Sequence, residues 1–260
     1  AAFGPRDSAP TASLYYQDKY WVLSGWTGDS ANPSREIWSS DDLLNWTLIS
    51  STPPFRGDAF FIVFDNKMWA FDGEAYSSID GLDWQKVASD LPFGVAKRIT
   101  QFNNKLWVVD GKSIFSSADG INWELVTDMA PWEPRELPGF IAFKNKLWFF
   151  SGSQYHQSVT PAFSDIWSSS DGLNWELMTE TPGWKGRAWF GYADFDNRLW
   201  IFGGWDSNIQ NDINDVWSSE DGVSWTELKS NTIWQPRHAP YVWVARGSLS
   251  ISAGYFTLFE

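Results

Sequence analysis

Asp215 to Leu228 reads D-V-W-S-S-E-D-G-V-S-W-T-E-L, and the chain writes this stretch five times. The other copies are I-W-S-S-D-D-L-L-N-W (Ile37 to Trp46), A-Y-S-S-I-D-G-L-D-W (Ala75 to Trp84), I-F-S-S-A-D-G-I-N-W (Ile114 to Trp123) and I-W-S-S-S-D-G-L-N-W (Ile166 to Trp175). An apolar or aromatic start, a Ser-Ser step, an Asp-Gly turn signal and a Trp that reopens an apolar run describe two short antiparallel strands joined by a tight turn. The first copy has Leu43 where the others have Gly, which predicts a different backbone conformation in that one turn.

A second unit precedes each hairpin. It opens on an Arg, passes through an apolar strand, turns at a polar pair and runs through a second strand, Trp-bearing in all but the last copy, to a Gly. The copies are Arg6 to Gly25, Arg56 to Gly73, Arg98 to Gly111, Arg135 to Gly152, Arg187 to Gly204 and Arg237 to Gly254. Their turns include Asp-Asn, Asn-Asn and Arg-Gly pairs, which tolerate the positive φ of two-residue hairpin turns.

One repeat therefore holds four strands, A to D, and the Arg positions recur every 37 to 52 residues. A unit of that size cannot bury both faces alone and must stack on its neighbours around an axis. The expected fold is all-β: a single six-bladed β-propeller over residues 1–260, with blades at 6–55, 56–97, 98–134, 135–186, 187–236 and 237–260. The last blade is incomplete. It has strands A and B, and Tyr255 to Glu260 offers a strand C. The alternative is a five-bladed ring with the final strands packed elsewhere.

Composition fits a large core. Of 260 residues, 43% are hydrophobic and 18% aromatic, and the 20 Trp are far above ordinary usage. Because a buried large side chain contributes about 1.5–3 kcal/mol, most of these indoles are expected to build the fold. The net charge of −13 repels phosphate backbones and anionic bilayers, so nucleic acid is not an expected partner. No run of 18 apolar residues offers membrane insertion. With no Cys, thiolate metal sites and thiol nucleophiles are excluded. The opening A-A-F-G-P-R has the look of a trimmed end, which favours a secreted or periplasmic location.

The order of Arg, apolar strand, aromatic-x-x-x-Gly, aromatic strand C and a Trp opening strand D resembles the kelch repeat over essentially the whole chain. Only blade five has the double glycine, Gly203-Gly204. The S-x-D-G-x-x-W hairpin is also similar to the Asp-box of sialidase-type propellers, although Trp84 follows Asp80 by one residue fewer than that box requires. Kelch-like propellers include sialate mutarotases, and the A-A-F-G-P-R-D opening is similar to a stretch in such enzymes. That resemblance implies an Arg and a carboxylate converging on the channel, for which Arg6, Asp7, Asp58, Arg135 and Glu136 are available.

In an antiparallel A-B-C-D blade the A–B and C–D turns emerge on one face, and the B–C loops and D–A links on the other. The first face is nearly uniform among copies; the second carries the variation, where a specific site can be written. Long B–C loops occur in blades one (Trp26 to Glu36), four (Ser153 to Asp165) and five (Trp205 to Asp215). They bring Trp26, Arg35, Tyr155, His156, Trp205 and Asp206 to one side of the opening. Trp26 and Trp205, each directly after a strand-B glycine, are expected to leave the sheet half exposed.

Aromatic residues also stand before the recurring arginines, as in Trp184-Lys-Gly-Arg187 and Trp234-Gln-Pro-Arg237. Such a pair can stack a sugar ring and bind its hydroxyls or a carboxylate. It can equally be scaffold, with the Arg on backbone carbonyls and the aromatic in the blade joint, and recurrence in every blade favours that. The expected function is binding of a carbohydrate or an acidic peptide on this face; the alternative is a sialate mutarotase-like sugar epimerase acting in the channel. No metal or other cofactor is expected. His156 and His238 are the only histidines, and the oxygen-rich Asp206 to Asp215 loop lacks EF-hand spacing.

Overall fold

The computed structural model describes residues 12–25, 34–94, 97–154, 162–229, 234–252 and 254. Blade one comprises β1 (Ser13–Tyr16), β2 (Lys19–Gly25), β3 (Ser34–Ser40) and β4 (Trp46–Ser50). Blade two holds β5 (Phe60–Phe64), β6 (Lys67–Phe71), β7 (Ala75–Ser78) and β8 (Gln85–Ala88). Blade three holds β9 (Arg98–Phe102), β10 (Lys105–Asp110), β11 (Ser113–Ser117) and β12 (Glu124–Thr127). In blade four these are β13 (Gly139–Phe143), β14 (Lys146–Phe150), β15 (Ile166–Ser169) and β16 (Glu176–Thr179). Blade five has β17 (Gly191–Phe195), β18 (Arg198–Asp206), β19 (Asn211–Ser219) and β20 (Trp225–Glu227), and β21 (Tyr241–Ala245) with β22 (Ser248–Ser252) form a two-stranded sheet.

The fold is an all-β propeller with five four-stranded antiparallel blades among the described residues. The two-stranded sheet occupies a sixth sector, because β1, β5, β9, β13, β17 and β21 touch neighbour to neighbour around a closed ring. The strand C expected at Tyr255 to Glu260 lies outside the described residues.

Closure relies on side chains. Ser13 Oγ donates to the Val242 carbonyl at 2.7 Å and accepts the Val242 amide at 3.0 Å. Trp243 Nε1 donates to Trp21 O at 3.1 Å, and the Tyr241 hydroxyl to Ser24 O at 2.9 Å. Arg246 spans the same seam, donating to Asp18 O, Asp41 O and the Tyr15 hydroxyl.

The A–B turns are two-residue turns with both central φ positive, as at Asp65-Asn66 (47° and 54°) and Asn103-Asn104 (49° and 57°), which is why Asn and Asp crowd there. Each C–D hairpin is tied by its Ser and Asp. In blade four Ser169 Oγ accepts the Gly172 amide at 2.8 Å, Asp171 Oδ1 accepts the Leu173 and Asn174 amides at 2.9 and 2.8 Å, and Trp175 Nε1 donates to Gly172 O at 2.9 Å. The Asn174 amides and the Leu173 amide pull the Asp171 carboxyl down to about 2, against the opposing effect of burial.

The core lies in the seams between blades. The strand-B indole of one blade stands over the hairpin glycine of the next. A Cβ on Gly81 would lie 2.3 Å from the Trp21 ring; on Gly120, 2.7 Å from Trp69; on Gly172, 2.1 Å from Trp107; on Gly222, 2.4 Å from Trp148. None of the described tryptophans is fully exposed, in keeping with a structural use of this residue.

Leu43 corrects the expectation of a different turn in blade one. Its φ is +65°, close to the +76° of Gly81, and its amide still donates to Ser40 Oγ at 2.9 Å. Leu fits because blade six carries Ser250 at the strand-B position where the other blades have Trp, opposite Trp243 as Trp69 is opposite Ile62. No indole occupies the volume that a Cβ needs.

Two outcomes follow. Gly172→Ala, which adds a Cβ under Trp107 in a left-handed conformation, lowers stability by about 2–4 kcal/mol, whereas Leu43→Gly changes it by less than about 1 kcal/mol; urea denaturation of both variants is the check. Since the folded pKa of Asp171 is depressed, its contribution is present above pH 4 and lost as pH falls towards 2. Acid unfolding followed by Trp fluorescence should show Asp171→Asn less sensitive to pH in that window than the unmodified chain.

Candidate ligand face

The recurring arginines divide by environment. Arg135 and Arg187 are buried, and each guanidinium is gripped on two nitrogens by a carboxylate, Asp165 just before strand C of blade four and Asp215 within strand C of blade five. Arg135 Nη2 lies 2.9 Å from Asp165 Oδ2 with Nη1 on Oδ1, and Arg187 Nη2 lies 2.9 Å from Asp215 Oδ2 with Nη1 on Oδ1. Backbone carbonyls take further donors: Glu133 O and Ser151 O for Arg135, Lys185 O and Gly203 O for Arg187. The same carboxylates accept the indole N–H two residues on, Trp167 at 2.7 Å and Trp217 at 2.8 Å. Each Arg is thus a clasp between the D–A link and strand C of its own blade.

The aromatics before the arginines are core. Phe55, Phe93, Trp132 and Trp184 are buried, and each meets edge to face the Trp that opens strand D of the following blade: Trp84, Trp123, Trp175 and Trp225, at ring separations of 4.8, 4.8, 4.8 and 5.7 Å. Trp184 and Arg187, considered as ligand contacts, are therefore withdrawn from solvent, and Arg135 is unavailable in the same way. Trp234 is half buried, edge-on to Phe202. Arg237 is half buried, with Nε donating to Gln235 O at 3.2 Å.

Among the residues considered for channel chemistry, Asp58 forms an exposed two-pronged pair with Arg56, both contacts 3.0 Å, and Glu136 is exposed, with its backbone bridged to Ser153. Arg6, Asp7, Trp26, Tyr155 and His156 lie outside the described residues. Arg35 is exposed on β3.

Arg98 is not the equivalent of the other arginines. Phe102 ends strand A of blade three as Phe64 and Phe143 end theirs, which aligns Gly94 with Arg56 and Arg135 and leaves Arg98 inside β9, opposite Val109.

The long loop of blade five is a continuation of the sheet. β18 and β19 run on past a bulge at Gly203, so Trp205 pairs with Asp212 and Asp206 with Asn211. Trp205 is half exposed, as expected for the rim, but it remains in the strand and also pairs its backbone with Ala188, at 2.8 and 2.9 Å. Asp206 is wholly buried. Its Oδ1 accepts the Asn208 amide at 2.9 Å, and Oδ2 has no hydrogen-bond partner.

The extended hairpin assembles a group that the sequence reading did not bring together. His238, directly after Arg237, places Nδ1 2.6 Å from Asp212 Oδ1; the Asp212 side chain is 2% exposed and that of His238 14%. Two half-exposed indoles stand beside the imidazole, Trp189 at 5.5 Å and Trp205 at 5.9 Å between ring centroids. Trp189 has φ +49°, a strained conformation for an aromatic residue, and its carbonyl accepts the Ala239 amide at 2.6 Å. Two aromatic faces, an imidazole and a buried carboxylate thus converge where blades five and six meet. The signal was faint, because Asp212 and His238 stand 26 residues apart on different blades.

At the other end, an open depression of about 500 Å³ lies between the A–B turns of blades three and four, Asn103-Asn104 and Lys144-Asn145, and Asp194. Burial raises the Asp194 pKa, opposed by Lys144.

No family model matches the sequence. No curated protein matches it either. The fold is similar to the solved structure of YjhT, with a TM-score of 0.76 over 97% of this chain and 91% of that one, at 14% identity. At that identity the likeness is one of fold.

The clasp predicts its own test. Asp215→Ala leaves a buried guanidinium uncompensated and Trp217 without its acceptor, and should destabilise the chain by about 3–5 kcal/mol. Arg56→Ala, at the exposed pair, should cost less than about 1 kcal/mol. Guanidinium chloride unfolding of the two variants makes the comparison.

Proposed function

We propose that the protein is a carbohydrate-binding propeller whose ligand sits on the B–C/D–A face, at the junction of blades five and six. The observation that carries this reading is the pair of half-exposed indoles, Trp189 and Trp205, flanking His238 backed by Asp212. Indole faces stack on the C–H faces of a sugar ring, and the imidazole and neighbouring backbone groups are suited to its hydroxyls. The kelch-like character of the repeat supports a binding scaffold with variable loops on this face. An acidic peptide is less well served: Arg135 and Arg187 are already neutralised by Asp165 and Asp215, and the net charge of −13 opposes an anionic chain.

A glycan array, with acidic peptides printed alongside, identifies the ligand class. Calorimetric titration of Trp189→Ala and Trp205→Ala should then show affinity weakened by about 1–3 kcal/mol, the scale of one aromatic hot spot, with melting temperatures within a few degrees of the parent. Collapse of both melting temperatures, or binding of peptides and no glycan, would sink the reading.

The 2.6 Å His238 to Asp212 contact favours one second reading, a sugar mutarotase in which the imidazole takes the anomeric hydroxyl's proton and returns it to the ring oxygen as the ring C–O bond opens, the ring then closing on the other carbonyl face. Exchange NMR of a bound reducing sugar separates the two. Anomer exchange accelerated by the protein and abolished in His238→Gln selects the enzyme.

A further inference from the structure

Arg98 opens β9 opposite Val109, at the place held by Phe60 in blade two, Gly139 in blade four, Gly191 in blade five and Tyr241 in blade six. In blades four and five a ring from the partner strand fills that place: a Cβ on Gly139 would lie 2.3 Å from the Phe150 ring, and one on Gly191 2.0 Å from Phe202. Val109 is too short to do the same, and the Arg98 stem takes the volume. The residue is 2% exposed.

Its hydrogen bonds are few. Nε donates to Pro138 O at 2.9 Å, Nη1 makes a long 3.5 Å contact with Lys97 O, and Nη2 is buried with no partner. No described carboxylate pairs with it. Asp110, the acid at the end of the neighbouring strand, is engaged by Lys97 Nζ at 2.8 Å and by the Gly94 amide at 3.3 Å. The contrast with Arg135 and Arg187, each held on two nitrogens by an aspartate, is complete.

An arginine does not escape burial by losing its proton, and an uncompensated buried ion costs several kcal/mol. One hydroxyl stands on the same face of the strand. Thr100, two residues along β9, accepts the Ala142 amide of blade four at 3.2 Å, which leaves its own hydrogen to donate. The cation and this hydroxyl donor lie between the inner strands of blades three and four, with no described carboxylate paired to them.

We propose that Arg98, with Thr100, forms a buried site for a small monoanion, a halide or a compact carboxylate, between the inner strands of blades three and four at the end nearest the D–A links. The anion supplies the counter-charge that an aspartate supplies in blades four and five. This site stands apart from the carbohydrate reading and does not depend on it.

The test is thermal unfolding of the whole chain in a bulky sulfonate buffer, with sodium chloride or sodium acetate added and the sulfonate salt as the ionic-strength control. For the unmodified protein the melting temperature should rise saturably with chloride, acetate or both, by about 2–6 °C. Arg98→Met should lose that response and start at a melting temperature equal to or above the parent in sulfonate alone, since an unpaired charge has gone. An identical response in parent and variant, or none beyond the sulfonate control, would overturn the proposal. If Arg98→Met does not fold, chloride-35 NMR of the unmodified protein decides: a broadened line that acetate narrows supports the site, and an unbroadened line refutes it.

Discussion

The contact on which this propeller depends is an indole laid over a glycine. In each of four seams, a strand-B Trp projects from one blade onto the hairpin turn of the next, where only a residue without Cβ leaves room for it. The indole N–H is satisfied within its own blade, by the carbonyl that ends strand A: Tyr16, Phe64, Phe102 and Phe143, at 2.9 to 3.0 Å. The ring is therefore free to spend its whole face on the neighbour, and close packing of an aromatic against backbone is stabilising only because no buried donor is stranded. The hairpin Ser and Asp hold the glycine in its left-handed conformation, so turn chemistry and seam packing are one device.

The same device explains how a ring closes on a two-stranded sheet. Blade six lacks the strand-B indole, having Ser250, and presents Trp243 from strand A instead. That ring is 2% exposed, reaches Trp46 and Tyr20 of blade one, and hands its N–H to Trp21 O. The seam keeps its aromatic filling although the strand that carries it has changed. On the far side of blade six the compensation is weaker. Trp200, the blade-five member of the strand-B set, is the one of the five that is half exposed.

Strand order, turn type and the seam-filling role of tryptophan were legible in the sequence because they repeat, and repetition lets period-2 patterns and Asp-Gly signals reinforce one another. Leu43 escapes local turn rules because the preference for glycine in that turn comes partly from the neighbouring blade. Arg98 has the residue type of the repeat position but not its place; the Phe102 that ends its strand carries the true register. The site was legible only at Trp205. Trp189, Asp212 and His238 are joined by a blade junction and an extended hairpin, and neither spacing nor composition encodes which residues face each other across a seam.

A repeat protein thus offers a physical way to tell scaffold from site. Residues that recur with their partners, such as the Arg135–Asp165 and Arg187–Asp215 clasps, are buried and charge-paired within the blade. Departures from the repeat come in two kinds. Leu43 with Ser250 is a matched departure: a side chain gained on one blade is balanced by one lost on its neighbour, and the seam remains full and neutral. His238 and Arg98 are unmatched. The first pairs with an acid in the strand extension of blade five, beside two indoles that are only half buried; the second has room supplied by Val109 but no counter-charge among the described residues. Volume alone is balanced at Arg98, and charge is not. That imbalance of charge in a buried seam is what separates Arg98 from the ordinary drift of duplicated sequences.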